Sequence, residues 1–313
     1  MNVLAAQVLA KSAQSCVQSS PQQCIAAFAA RASFEVTRPT PRDIEALRAE
    51  IAPTTPIYVS AVPAHALAAQ IDTAARLAAA GYEPVPHIAA RRFASGTELD
   101  RHLGRLSDDA GVRRVLVIGG DLAAPAGPFF AAIEVVESGL LQSRGIVEVG
   151  IAAYPEGHPR LSATELDRAL AVKVEAAAET GLAVHIVTQF SFSAPAILDW
   201  IGRLRDQGID LPVRIGLAGP TTLSGLLRYA RICGVTASAQ GLMRHTGLAR
   251  QLFAMVTPDS VLRPLAEATA GRTDVAPHIF SFGGLAAAAR WAAAAAAGRL
   301  TLDRADGFAV EPP

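Results

Sequence analysis

The sequence predicts an α/β protein, a (β/α)₈ TIM barrel with an N-terminal helical extension. Three observations carry that prediction. Eight short apolar, β-rich runs alternate with longer helix-compatible stretches, the pattern of right-handed βαβ crossovers and a parallel sheet. The eight units fill about 280 residues, the usual size of such a barrel. No GxGxxG follows the first strand and no turn carries GxxxxGK[ST], which disfavours an open nucleotide-binding sheet.

Residues 1–31 read as an alanine-rich helical leader interrupted at Pro21, followed by the barrel over 32–300 and a tail over 301–313. ASFEV (32–36) is the first strand, closed by Pro39 and Pro41, and a helix runs on from Asp43. IYVSAV (57–62) is the second, and its helix from Ala64 to Ala80 stops at Gly81. EPVPHIA (83–89) is the third, with prolines awkward in a ladder interior. RRVLVIGGD (113–121), IVEVGIAAYP (146–155), AVHIVTQF (183–190), PVRIGLAGP (212–220) and APHIFSF (276–282) complete the set. Helices are expected over 97–110, 128–139, 162–179, 195–207, 221–233 and 247–270.

Composition removes several classes of function. Of 313 residues 51% are hydrophobic and 18% charged, with 28 basic side chains balancing 28 acidic ones. Mean hydropathy is +0.30, so a disordered chain is excluded. Zero net charge gives no general pull toward nucleic acid or anionic lipid. The alanine-rich run Leu285–Ala297 holds Arg290 and Trp291 and is too short to span a bilayer. No basic stretch precedes an apolar run at the N-terminus, so a secretory signal is not expected. Three cysteines, Cys16, Cys24 and Cys233, form no CxxC, which suits a reducing compartment and argues against structural zinc. The expectation is a cytoplasmic protein without metal; assembly into a homo-oligomer stays open.

A barrel gathers its chemistry at the carboxyl ends of its strands. Polar groups recur there: Glu35, His87, Asp121, Tyr154 and Gln189. Glu35, between Phe34 and Val36, would have its pKa raised by burial if it points inward, making it a candidate acid; alternatively it faces outward, or pairs with an arginine such as Arg38. Gly119 and Gly120 beside Asp121 allow close backbone approach by a flat or phosphorylated ligand; Asp121 alternatively caps a helix or closes a turn. Gln189 could read a heterocycle edge or bond loop backbone. YPEGHP (154–159) is a proline-bracketed loop whose Glu156 and His158 lack a third metal ligand. His87 and His278 fit core histidines equally well, and Cys233 reads as packing.

SFEVTRP, PHIAAR, IGGDL, GIAAYPEGHP, VTQFSFS and HIFSF resemble, in this order and at similar intervals, the methylenetetrahydrofolate reductase family's SFEFFPP, PHLTC, LRGDP, GVAAYPEGHP, ITQFFFD and FHFYTLN. The likeness runs from about Ser33 to Trp291. It implies a barrel that binds FAD, uses NADH or NADPH, and reduces 5,10-methylenetetrahydrofolate to 5-methyltetrahydrofolate. By the same likeness Glu35 is the catalytic acid for N10, Asp121 lies near flavin and pterin, and Gln189 and Tyr229 contact substrate. His87, Gly120, Tyr154, His158 and Lys173 fall on cofactor positions.

Departures cluster at the flavin side. Gly119 replaces an arginine, Val62 a threonine, Val172 one of a basic pair, and FYTLNR has become FSFGGL. FAD held by Arg91, Arg92 or other replacements, and direct flavin-free hydride transfer, therefore both stay open. So do two further readings: a non-catalytic folate- or flavin-binding partner subunit, and another folate-dependent one-carbon enzyme on the same barrel.

Overall fold

A computed structural model describes residues 19–232, 255–303 and 306–311. Eight parallel strands close into a barrel: β1 (Ser33–Val36), β2 (Pro56–Val59), β3 (Glu83–Ala89), β4 (Arg114–Ile118), β5 (Glu148–Ala153), β6 (Ala183–Thr188), β7 (Val213–Ala218) and, after the short β8 (Thr221–Thr222) and β9 (Met255–Val256), β10 (Val275–Phe280), which returns to β1. The predicted (β/α)₈ architecture is what the chain forms.

Local chemistry accounts for most element ends. Ser20, Thr40 and Ser162 cap their helices through reciprocal boxes with Gln23, Asp43 and Glu165, each satisfying two otherwise orphaned backbone donors. Pro21 opens the helix Pro21–Ala29, where its missing N–H costs nothing; the leader before Ser19 lies outside the described residues. Nor do Pro84 and Pro86 break β3. Both pair with β2, and the ladder to β4 starts only at His87↔Leu116, beyond both prolines.

Two predicted helices are shorter than expected. The stretch 128–139 is helical over Ala132–Glu137, with Gly139 at φ 71° separating it from Leu140–Ser143. Within the described part of 247–270, Met255–Val256 forms strand β9 against β8, and helix begins at Asp259.

The main apolar core lies between the outer strand faces and the helices, and the N-terminal helix contributes buried Ile25 and Phe28 to it. At the C-terminal end, β11 (Leu300–Leu302) pairs with β12 (Phe308–Val310), and buried Phe308 stacks on Trp291. Both segments flanking the barrel are thus packed onto it where they are described. No described helix is long and apolar enough to cross a membrane.

Inside the ring the filling is different. Tyr58, Val85, Leu116 and Val187 form a small apolar layer. Beside it Tyr58 shares a 2.7 Å hydrogen bond with His185 Nε2, and His185 Nδ1 meets Glu148 at 2.7 Å. Arg114 bridges Glu148 (2.7 Å) and Glu83 (3.0 Å). Gly150 makes room for this: a Cβ there would stand 2.7 Å from His185 Nε2. The interior is a packed polar plug near the amino ends of the strands, and the open mouth lies at their carboxyl ends.

Candidate active site

Alternation along β1 sends Ser33 and Glu35 inward while Phe34 and Val36 pack outward. Glu35 is level with Tyr58 on β2 and Phe280 on β10. Its side chain keeps 15% exposure, so it faces the mouth from a largely dry position.

Three groups on or just past three other strands meet its carboxyl. Ser60, one residue past β2, donates to Oε1 at 2.7 Å. His278 Nε2 on β10 stands 3.4 Å from Oε2, and His87 Nε2 on β3 stands 3.5 Å from the same oxygen. His278 is fixed from behind, its Nδ1 2.9 Å from the Ser33 hydroxyl, with both residues fully buried. Tyr58 packs edge-on against both imidazoles, closest to His278 at 4.6 Å between centroids.

This cluster reverses the sign expected for Glu35. Burial, the largest single effect, does push its pKa up. The charge of His87, the hydrogen bond and charge of His278, and the Ser60 hydroxyl together outweigh it and hold the carboxyl below its ordinary value. Burial lowers the pKa values of both histidines, against the pull of Glu35.

The other sequence-predicted residues do not join that contact. Asp121 is exposed, three residues past β4, and among the described residues its carboxylate makes no hydrogen bond or ion pair. It caps no helix; just ahead of the next one, the Phe130 and Ala131 N–H groups bind Glu134. Gly120 beside it has φ 93°, and a Cβ there would come within 3.1 Å of Ala89 Cβ. Gln189 follows β6 directly, and its Oε1 accepts the Phe190 N–H at 3.0 Å. Tyr154 packs edge-on against His158, 5.1 Å between centroids, and His158 Nδ1 accepts the Arg160 N–H.

Glu156, weighed as a metal ligand, accepts instead from Ser191 Oγ and from the backbone N–H groups of Phe192 and Ser193. It ties YPEGHP to the start of the helix Ala194–Asp206. Among the described residues no group of three or more His, Cys, Asp or Glu could hold a metal. Tyr229 stacks face-to-face on Phe282 at 4.1 Å, part of an aromatic wall with Phe190 and Phe280. Lys173 lies on the helix Ala163–Glu179, partly buried. Burial lowers its pKa to about 8, and among the described residues no carboxylate pairs with it. Cys233 lies outside the described residues.

Sequence reading missed Ser60 and Ser33, and left His278 undecided between core and site. Inward parity was the available signal, since Ser33 and Glu35 share one face of β1 and His278 stands level with Ser33 on the neighbouring strand.

A parallel eight-stranded barrel carrying a buried carboxylate and paired imidazoles at the carboxyl ends of its strands has the layout of a barrel enzyme. Comparison with known proteins narrows the class. The chain belongs to the methylenetetrahydrofolate reductase family, whose model matches residues 32–246. It is 29% identical over 170 residues to the 5,10-methylenetetrahydrofolate reductase of Salmonella typhimurium, covering 54% of each chain. With the proteins of that name from Escherichia coli and Pectobacterium carotovorum, identity is 28% over 170 residues and 27% over 157. Those alignments cover 54% and 50% of each chain, respectively. The matches thus span about half the length of these curated relatives.

Proposed function

We propose that this chain is a cytoplasmic reductase converting 5,10-methylenetetrahydrofolate to 5-methyltetrahydrofolate with NADH or NADPH, its ligand a small folate rather than nucleic acid. The observation that carries the reading is the Glu35 carboxyl, inward and mostly dry at the mouth, with one oxygen held by Ser60. The chemistry requires such a group. The bond from the bridging carbon to N10 must break before hydride can add, and N10 leaves well only when protonated. Folate lying over Glu35 removes its remaining water and shifts the carboxyl toward its protonated form, so acidity is created on binding. Glu35 then gives its proton to N10, the C–N10 bond breaks, and the N5 iminium accepts hydride.

Asp121, an anion with no counter-ion among the described residues, would stabilise the iminium charge from the rim. Gln189 and Tyr229 would orient the pterin and its aromatic neighbour. FAD, when bound, would draw on one cation for its phosphates. Lys173 is an ammonium partly buried without an acid, and Gly120 offers backbone at close approach. Tyr154, His158 and His87 would complete its wall. When bound, FAD supplies a two-electron carrier between nicotinamide and folate. Val172, 42% exposed, adds no second charge beside Lys173.

The test is oxidation of NADH or NADPH by the purified chain with methylenetetrahydrofolate, with and without added FAD. Folate-dependent oxidation yielding methyltetrahydrofolate is expected. Tight folate binding with turnover only when a second chain is added would replace this reading with that of a partner subunit.

A further inference from the structure

Glu35 must regain a proton in every turnover, and the two histidines beside it are not equivalent. His278 has 0% side-chain exposure and both ring nitrogens engaged, Nδ1 with Ser33 and Nε2 toward Glu35. A carboxylate facing Nε2 selects the tautomer with its proton there, which Ser33 completes by donating to Nδ1. His87 keeps 8% exposure, and its buried Nε2 has no hydrogen-bond partner although it lies 3.5 Å from Glu35 Oε2. A buried imidazole nitrogen left unsatisfied is costly, and a catalytic role is one reason for a fold to keep it. The groups facing His87 are Glu35 from β1, the Tyr58 ring from β2 and His278 from β10.

We infer that His87 carries protons between the open mouth of the barrel and Glu35 Oε2, while His278 is a positioning residue that holds the carboxylate by its Nε2–H. This rests on the proposed reduction and adds the route by which its acid is recharged. As N10 takes the proton from Glu35 and the C–N10 bond breaks, the carboxylate is left ionised. It takes the proton on His87 Nε2 as the other nitrogen of that ring takes one from water at the mouth, so His87 stays neutral and is never left as an imidazolate. Each cycle consumes one solvent proton and one hydride from the reductant, matching the overall reaction.

The experiment pairs kinetics with nitrogen-15 NMR of the histidine rings in the full chain. His87→Ala should lose about 10²-fold in kcat with KM within a few-fold, and added imidazole should restore at least tenfold. His87→Gln, which better preserves volume, should show the same loss without rescue. His278→Gln, which retains an N–H donor, should keep kcat within a few-fold, whereas His278→Ala should lose activity that imidazole does not restore. In the ligand-free protein the His278 ring N–H should be protected from exchange and that of His87 should not.

Wild-type kcat in His87→Ala, failure of imidazole rescue, or equal protection of the two rings would each overturn the relay. If the wild-type chain shows no folate-dependent turnover, the proposed reduction fails, and the exchange contrast still decides whether His87 is the ring open to solvent.

Discussion

Ser60 Oγ donates to Glu35 Oε1 at 2.7 Å, joining the loop after the second barrel strand to the end of the first. The bond favours the ionised carboxyl, so its loss has a definite sign. In Ser60→Ala the pKa of Glu35 should rise, and an acid that keeps its proton longer should carry the alkaline limb of kcat to higher pH. The pH profile of folate-dependent turnover checks this; a limb moving to lower pH contradicts it.

Glu148 should anchor the polar plug beneath the site. Burial pushes its carboxyl up, but His185 and Arg114 together bring it down to about 2 against an ordinary 4.5. A depressed carboxyl pKa stabilises the fold fully above the unfolded value and loses that contribution as pH falls through the folded one. Glu148→Gln should therefore cost about 3 kcal/mol at pH 7, and the variant and wild type should converge as pH approaches 2. Urea denaturation across that range measures both.

Lys173 should be a liability in the ligand-free protein. Its amine, lowered to about 8 from 10.5 by burial, is charged and poorly solvated at pH 7. The penalty is full below pH 8 and is relieved as pH rises toward 10.5, the opposite slope to a paired lysine. Lys173→Met should stabilise the apo chain by about 1–3 kcal/mol at pH 7, an advantage that shrinks toward pH 10, while weakening binding of inorganic pyrophosphate. Equal stability at both pH values would show that the amine is already well solvated.

Glu156 should lock two rim loops together. It accepts from Phe192 N at 3.0 Å and Ser193 N at 3.2 Å as well as from Ser191 Oγ, placing a negative charge at the start of a 13-residue helix. Glu156→Ala should speed hydrogen exchange at Phe192 and Ser193 at least tenfold and lower stability by about 1–3 kcal/mol. Unchanged exchange at those two amides would separate the loops.

Periodicity and punctuation made the barrel legible. Strand lengths, glycine stops and capping pairs are local, and they survive in β1 through β7 and β10 to within a few residues. The proline-rich third strand was harder, because whether Pro84 and Pro86 are tolerated depends on where the neighbouring ladder begins. Glu35 was legible as a polar residue in an apolar strand, but the sign of its pKa shift was not. That sign depends on His278, 243 positions away, and on His87, neighbours that only barrel closure supplies. Glu156 misled for the same reason, since its three donors belong to a loop 35–37 residues later. Asp121, by contrast, is exposed and caps no helix, so one of the two local roles open to it in the sequence is removed.

In the proposed reaction Glu35 delivers the proton that opens the folate ring. Single-turnover reduction of methylenetetrahydrofolate, measured alongside equilibrium binding of methyltetrahydrofolate, tests it in wild type and Glu35→Gln. Glu35→Gln should slow the reduction step at least ~10²-fold, with product affinity within a few-fold. Reduction by Glu35→Gln at the wild-type rate would contradict it.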